Sequence, residues 1–203
     1  MYELPDEKEE VNGKVKATEI FASIGSFISS FVETVVVALV IAVVLYLFIM
    51  TPHEVIGSSM YPTYKNGEYL MANKIVYKFS KPSRGDVIIF KYSEEHDFIK
   101  RIIGVPGDEV MLKDGSYYIN GKKLDESKYL STSIFTNGGS YMHEGQSIKV
   151  GEGQYFVSGD NRPNSSDSRE FGTISIDQIK GKAWIVYYPF SDFRIVQHET
   201  YNL

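Results

Sequence analysis

Apolar and polar positions divide the 203-residue chain into a polar head, an uninterrupted apolar run and a long alternating region. The run at 35–50, VVVALVIAVVLYLFIM, has neither a charge nor a helix breaker. With Phe31 and Val32 it approaches the roughly 20 apolar residues that a helix needs to cross a bilayer. Ser29, Ser30 and Thr34 can be carried in such a helix, Glu33 falls near the headgroups, Tyr46 suits an interface and Pro52 closes the segment. The expected order is a tail at 1–28, a transmembrane helix at 29–51 and a separate domain at 52–203. A buried core helix would show a polar face, and this run has none. A cleavable leader has a short basic head and small residues at its end. Here the head is long and acidic, and Thr51-Pro52-His53 follows the run.

Beyond the span the pattern changes to short apolar runs broken by Gly, Asn, Asp and Pro. Strand candidates are 86–92, 98–105, 109–112, 117–120, 154–158 and 183–188, and Asn120-Gly121 reads as a tight hairpin turn. The segment 174–179 is the best short helix or turn. The predicted fold is a mainly β, antiparallel domain hung from one membrane helix.

Composition narrows the chemistry. The chain has no Cys, so disulfides, thiolate nucleophiles and zinc-thiolate sites are excluded. Its net charge of −5 is concentrated at the head. Residues 1–34 carry three Lys against seven Asp and Glu, a balance of −4, and 35–50 carry nothing, which leaves −1 for 51–203. A nearly neutral domain without a basic stripe predicts no nucleic-acid partner. Lys14 and Lys16 precede the span and only Lys65 soon follows it. That weak bias points to a cytoplasmic N-terminus and a C-terminal domain on the outer face of the cell membrane.

Three segments set reactive groups among turn residues. In Gly57-Ser58-Ser59-Met60-Tyr61-Pro62-Thr63, a serine sits where a rigid turn can expose its Oγ and leave backbone N–H groups for an oxyanion. A serine beside glycine is also commonly no more than a turn. In Asp97-Phe98-Ile99-Lys100-Arg101-Ile102-Ile103-Gly104, strand alternation puts a cation between apolar side chains on each face. Arginine stays charged there, whereas a desolvated lysine can lose its proton near neutral pH and act as a base. The bland alternative is an edge strand with a solvated lysine. The third segment, 158–169, has twelve residues and no aliphatic side chain. Such a loop can knit itself together, with Asp167 and Arg169 as an ion pair, or offer Asp160, Asn161 and Asp167 to a cation, although the spacing fits no EF-hand. His53, His96, His143 and His198 sit in no motif and are expected in exposed loops.

In this order the three segments resemble the signature boxes of bacterial type I signal peptidases, over about 51–190 and with the preceding anchor. The serine box matches at Ser59-Met60-x-Pro62-Thr63, the lysine box at Lys100-Arg101-x-x-Gly104-x-Pro106-Gly107-Asp108, and the third at Gly159-Asp160-Asn161-Arg162-x-Asn164-Ser165-x-Asp167-Ser168-Arg169. Gly181-x-Ala183 and Tyr188-Pro189-Phe190 resemble the family's closing strand. The resemblance implies Ser59 as nucleophile, Lys100 as general base and Ser165 as a hydroxyl orienting the Lys100 amine. Asp167, Arg169 and Asp160 would brace the site. The Ser59 N–H would meet the oxyanion, and Gly57 brings no side chain that could add a second donor. The leader would bind as an extended strand at Val55, Ile56, Gly57 and Met60 on one side and Asp97, Phe98 and Ile99 on the other. A small β region would be inserted at 110–152. No metal or other cofactor is implied, and the partners would be secretory preproteins and membrane lipid, with Tyr61 reaching toward the lipid. Three other classes stay open: a self-cleaving Ser–Lys repressor, a tethered β domain that only binds, and a metal-dependent hydrolase built on the Asp-rich loop.

Overall fold

The structure is a computed structural model that describes residues 7–131 and 133–201, with side-chain surroundings given from residue 21 except at Leu47. The apolar run lies in one long helix, α1 (Glu7–Phe48), which starts well before the expected residue 29. No proline interrupts it, and its first turns are rich in good helix formers such as Glu, Lys and Ala. It ends before Thr51 because Met50 and Thr51 already pair with Asn73 and Ala72 in a sheet. Within it, the 26 residues Phe21–Tyr46 are long and apolar enough to cross a membrane. Two hydroxyls in this stretch turn back on the backbone: Thr34 donates to the Ser30 carbonyl at 2.8 Å and Ser26 to the Ser23 carbonyl at 2.9 Å. Such bonds let hydroxyls reside in hydrocarbon.

Residues 48–203 form a second compact unit, almost entirely of antiparallel sheet. In chain order its elements are β1 (Met50–Glu54), β2 (Tyr69–Asn73), α2 (Val76–Phe79), β3 (Val87–Lys91), β4 (Asp97–Gly104), β5 (Glu109–Lys113), β6 (Ser116–Ile119), β7 (Lys122–Lys123), β8 (Ser147–Lys149), β9 (Gln154–Ser158), α3 (Ser168–Phe171), β10 (Ile174–Ser175), β11 (Ile179–Tyr188) and β12 (Arg194–Ile195). The main sheet runs β1-β2-β11-β3-β4-β9-β10, with β12 on β11, and a smaller sheet runs β7-β6-β5-β8. All four strands of the smaller sheet fall between β4 and β9 in the chain. Two hairpins there turn on Asp114-Gly115 and Asn120-Gly121, with positive φ at all four residues, as a type I′ turn requires.

Strand alternation assigns the apolar residues to three clusters. On β3, Val87 and Ile89 enter one with Val55, Met60 and Leu70, while Ile88 and Phe90 enter another with Ile102 and Val157. A strand buried on both faces explains the continuous apolar reading of VIIF. On β4, Ile103 joins the smaller sheet's core of Val110, Leu112, Tyr117, Ile119 and Phe156. Lys100 and Arg101 precede this doubly buried end of β4 and are themselves 3 % and 1 % exposed.

Two histidines depart from expectation. His53 lies on β1 and is half-buried rather than in an exposed loop. His198 is wedged between β3 and β11, accepting the Val87 N–H on Nδ1 at 3.2 Å, with Nε2 2.9 Å from the Ala183 carbonyl. Burial, with Lys182 beside it, pushes its pKa down to about 4.

Candidate active site

The serine segment is a turn closed by the Tyr61 N–H on the Ser58 carbonyl at 3.0 Å. Gly57 takes φ of +93° at its start, a conformation that side chains other than glycine's seldom allow, and donates its N–H to Asn66 Oδ1 at 2.6 Å. Met60 does not line the cleft as expected. Its side chain is fully buried with Val55, Tyr64 and Leu70, where it plugs the turn into the core. Thr63 ties the far end by donating to Asp160 Oδ2 at 2.6 Å.

Lys100 Nζ donates to Ser59 Oγ at 2.8 Å and to the Ile99 carbonyl at 3.1 Å, with the Phe98 ring centroid 4.9 Å away. Burial pulls its pKa down to about 8, against the opposing charges of Asp167 and Asp160. Both carboxylates are committed elsewhere. Asp160 takes a two-pronged bond from Arg101, Nε to Oδ1 at 2.9 Å and Nη2 to Oδ2 at 2.7 Å, and the Arg101 guanidinium stacks 3.9 Å over the Tyr129 ring. Asp167 receives Arg169 Nε and Nη2, both at 2.8 Å, and the Ser158 hydroxyl and Gly159 N–H at 3.0 Å. Burial alone would raise the Asp167 pKa, and the hydrogen bonds and charge of Arg169 outweigh it, so the carboxyl sits below its ordinary range. Carboxylates so occupied have few lone pairs left for a cation. Among the described residues no group of three or more His, Asp or Glu is arranged to hold one.

Ser165 departs from expectation in one respect. Its Oγ is buried without a hydrogen-bond partner, so no bond to the Lys100 amine forms. It packs against Gly159, where an added Cβ would collide with both Ser165 Oγ and the Ser59 carbonyl. Pattern reading missed what lies behind this contact. Arg162, fully buried, donates Nε to the Gly159 carbonyl at 3.0 Å, and its Nη1 reaches Glu126 at 2.9 Å and Thr136 at 3.0 Å. Glu126 also accepts the Tyr129 hydroxyl at 2.5 Å, and Tyr129 in turn accepts from Tyr201 at 2.7 Å. An arginine in a loop without aliphatic residues was the visible signal, but its partner lies 36 residues earlier in the chain.

A cavity of about 580 Å³ opens beside the Ser59–Lys100 contact. Val55, Ile56, Gly57, Ser58 and Ser59 line one wall, and Asp97, Phe98, Ile99 and Lys100 line the other. Leu70 and Ile89 lie at its apolar base, and His53, Glu54, Glu95, His96, Asn164 and Ser166 also line it. The arrangement sets a serine hydroxyl in contact with a low-pKa amine at the side of a cleft.

Comparison with known proteins places the chain in a family. The family model described as signal peptidase, peptidase S26 matches residues 28–188. Signal peptidase IB of Staphylococcus aureus (strain Mu50) is 41% identical over 158 residues, covering 72% of this chain and 82% of that one. Signal peptidase I T of Bacillus subtilis (strain 168) is 44% identical over 153 residues, covering 72% and 78%. A solved signal peptidase I from Enterococcus faecalis V583 is 36% identical, covering 51% of this chain and 97% of that one, with a TM-score of 0.41. With the family match running from the membrane helix through all three boxes, the chain belongs to the bacterial type I signal peptidases of peptidase family S26.

Proposed function

We propose that the chain is a membrane-tethered serine endopeptidase that removes signal peptides from secretory preproteins, with Ser59 as nucleophile and Lys100 as general base. The observation that carries it is the buried Lys100 amine, its pKa pulled down to about 8, in contact with Ser59 Oγ at 2.8 Å. Neutral Lys100 takes the Ser59 proton as Oγ bonds to the scissile carbonyl carbon. The tetrahedral oxyanion collapses, the C–N bond breaks and the leaving amine takes the proton back from Lys100. Water, deprotonated by the same amine, then hydrolyses the acyl-enzyme. No step calls for a cofactor.

Two free strand edges support an extended peptide as substrate. Among the described residues β1 pairs only with β2, and β4 pairs with β9 only from Arg101 onward, which leaves Asp97–Lys100 with one open edge beside the cleft. A leader laid between them extends the sheet through backbone hydrogen bonds. Its small residues at the first and third positions before the cut would face the walls formed by Val55 and Ile56 and by Phe98 and Ile99. The apolar helix Phe21–Tyr46 serves as the anchor, with the N-terminus cytoplasmic and the catalytic unit outside. Tethering enzyme and leader to one bilayer raises their effective concentration.

The test is cleavage of a membrane-inserted leader ending Ala-x-Ala by the full chain in detergent, comparing wild type with Ser59→Ala and Lys100→Ala in the presence of chelator. A cut after the second Ala that both substitutions abolish and chelator leaves intact is expected. Cleavage that survives Ser59→Ala, or that chelator stops, refutes the assignment.

A further inference from the structure

An oxyanion donor is useful only if its N–H is held in place before the charge develops. Among the described residues no hydrogen bond uses the Ser59 N–H, so its direction is set by its own peptide plane. That peptide is trans, since the cis bonds are at Tyr61-Pro62 and Tyr188-Pro189. In a trans peptide the carbonyl and the N–H point in opposite directions. Whatever grips the Ser58 carbonyl therefore aims the Ser59 N–H.

Two donors grip it. One is the Tyr61 N–H within the turn, and the other is Asn161 Nδ2, reaching across from the third box at 3.0 Å. The backbone N–H of Asn161 also holds the next carbonyl, that of Ser59, at 2.9 Å. One residue thus fixes both peptide planes that flank the nucleophile. Its amide is itself oriented, because Asn164 Nδ2 donates to Asn161 Oδ1 at 3.2 Å and leaves Nδ2 as the end that faces Ser58. Gly159 lets the loop come this close, since a Cβ there would strike the Ser59 carbonyl.

We propose that Asn161 is a positioning residue for the oxyanion site, acting through the Ser58 carbonyl to hold the Ser59 N–H on the side of the turn away from the third box. It touches neither substrate nor the reacting atoms. Asn161→Ala keeps the backbone bond to Ser59 and the Tyr61 bond to Ser58, so the turn survives while its plane is released.

The inference rests on the Ser59–Lys100 assignment, and the experiment separates the two. Full-length wild type, Asn161→Ala, Asn164→Ala and Ser59→Ala are compared on a cleavable leader, on the same leader with an uncleavable bond at the cut site, and on a peptide aldehyde. The aldehyde carbon bonds to Ser59 Oγ, its carbonyl pair moves to oxygen, and the Oγ proton goes to Lys100. Deleting an oxyanion donor outright costs about 100- to 1,000-fold in kcat, so misdirecting one in Asn161→Ala is expected to cost about 10- to 100-fold. KM and affinity for the uncleavable leader stay within about twofold, aldehyde affinity falls with kcat/KM, and the pH midpoint of kcat does not move, as expected of lost transition-state stabilisation. Asn164→Ala is expected to show the same signature at about threefold, a milder loss of the same preorganisation. Unchanged kcat in both variants overturns the inference, as does an equal loss of affinity for the uncleavable leader. Activity that persists in Ser59→Ala overturns the assignment beneath it instead.

Discussion

Replacing Lys100, the proposed base, should make this protein more stable at neutral pH as it makes it inactive. Lys100 is 3 % exposed, its pKa is pulled down to about 8, and it has no carboxylate of its own. An unfolded lysine titrates near 10.4. Between pH 8 and 10.4 the unfolded chain therefore binds the extra proton, and stability rises with pH across that window. Below pH 8 both states are protonated and the whole penalty stands, about 3 kcal/mol for a shift of this size. Lys100→Met removes it. The variant also gives up the bonds to Ser59 and the Ile99 carbonyl, worth about 1 kcal/mol each. The net gain at pH 7 is then about 1 kcal/mol.

The pH dependence is the sharper test, because it isolates the titration of Lys100 from every contribution that does not titrate. By pH 9.5 the wild-type penalty has fallen to about 1 kcal/mol, so the balance between the two shifts by about 2 kcal/mol and the wild type becomes the more stable by about 1 kcal/mol. Trp184, the sole tryptophan, lies on β11 of the catalytic unit and reports its unfolding by fluorescence. Guanidinium titrations of the full chain in detergent at both pH values give the difference directly. A gap that stays constant within about 0.5 kcal/mol would show that Lys100 is not held in a desolvated, low-pKa state, and the account of the base would fail with it.

Three further outcomes follow from the same contacts. In wild type, kcat/KM rises about tenfold per pH unit up to a midpoint near 8, so activity at pH 6 is about a hundredfold below the plateau; a midpoint below pH 6 would refute it. Asp160→Asn leaves the buried Arg101 guanidinium without its counter-ion and costs about 3–5 kcal/mol in guanidinium unfolding. It also removes a charge that holds the Lys100 pKa up, so any remaining activity has its pH midpoint shifted downward. Gly159→Ala drives a methyl against the Ser59 carbonyl and costs about 1–3 kcal/mol with a loss of cleavage, whereas Gly121→Ala, in an open turn of the smaller sheet, leaves cleavage intact.

The parts of this molecule that were legible in the sequence are those with a local signature. The charge-free run marks the helix, short apolar runs between turn residues mark β3, β4, β9 and β11, and Asn120-Gly121 marks its turn. β1 was not visible, because Met50 and Thr51 read as the end of the membrane helix and Pro52 as its close. It forms through pairing with β2 alone, and an edge strand tolerates proline. The reactive residues stood out by type and order, but their support did not. Arg162 depends on Glu126 and Thr136 in the inserted region, Asp160 on Arg101 and Thr63, and the Ser58 carbonyl on Asn161. Each joins segments far apart in the chain, and one sequence holds no trace of such a pairing. Met60 shows the opposite failure. A residue beside the nucleophile invites a substrate role, yet its burial makes it part of the core.

Lys100 and Arg101 are neighbours on one strand, both buried, and they meet opposite treatment. Arg101 receives a carboxylate in matched two-pronged geometry and an aromatic face, and its pKa is pushed up. Lys100 receives a hydroxyl and a carbonyl, while the nearest carboxylates are engaged by Arg101 and Arg169. The base is made by withholding a counter-ion from one of two adjacent cations. Exchanging the side chain type should therefore be fatal even though charge and length are kept. A guanidinium does not surrender its proton at any accessible pH, so Lys100→Arg should show no cleavage of a leader peptide between pH 6 and pH 10, with no recovery as pH rises. Fold should persist only at a cost, because the larger cation enters a site with no acceptor of matching charge, and guanidinium unfolding should find it less stable than Lys100→Met at pH 7. Activity in Lys100→Arg that grows with pH would mean that another group removes the Ser59 proton, and the amine in contact with Ser59 would then be a bystander.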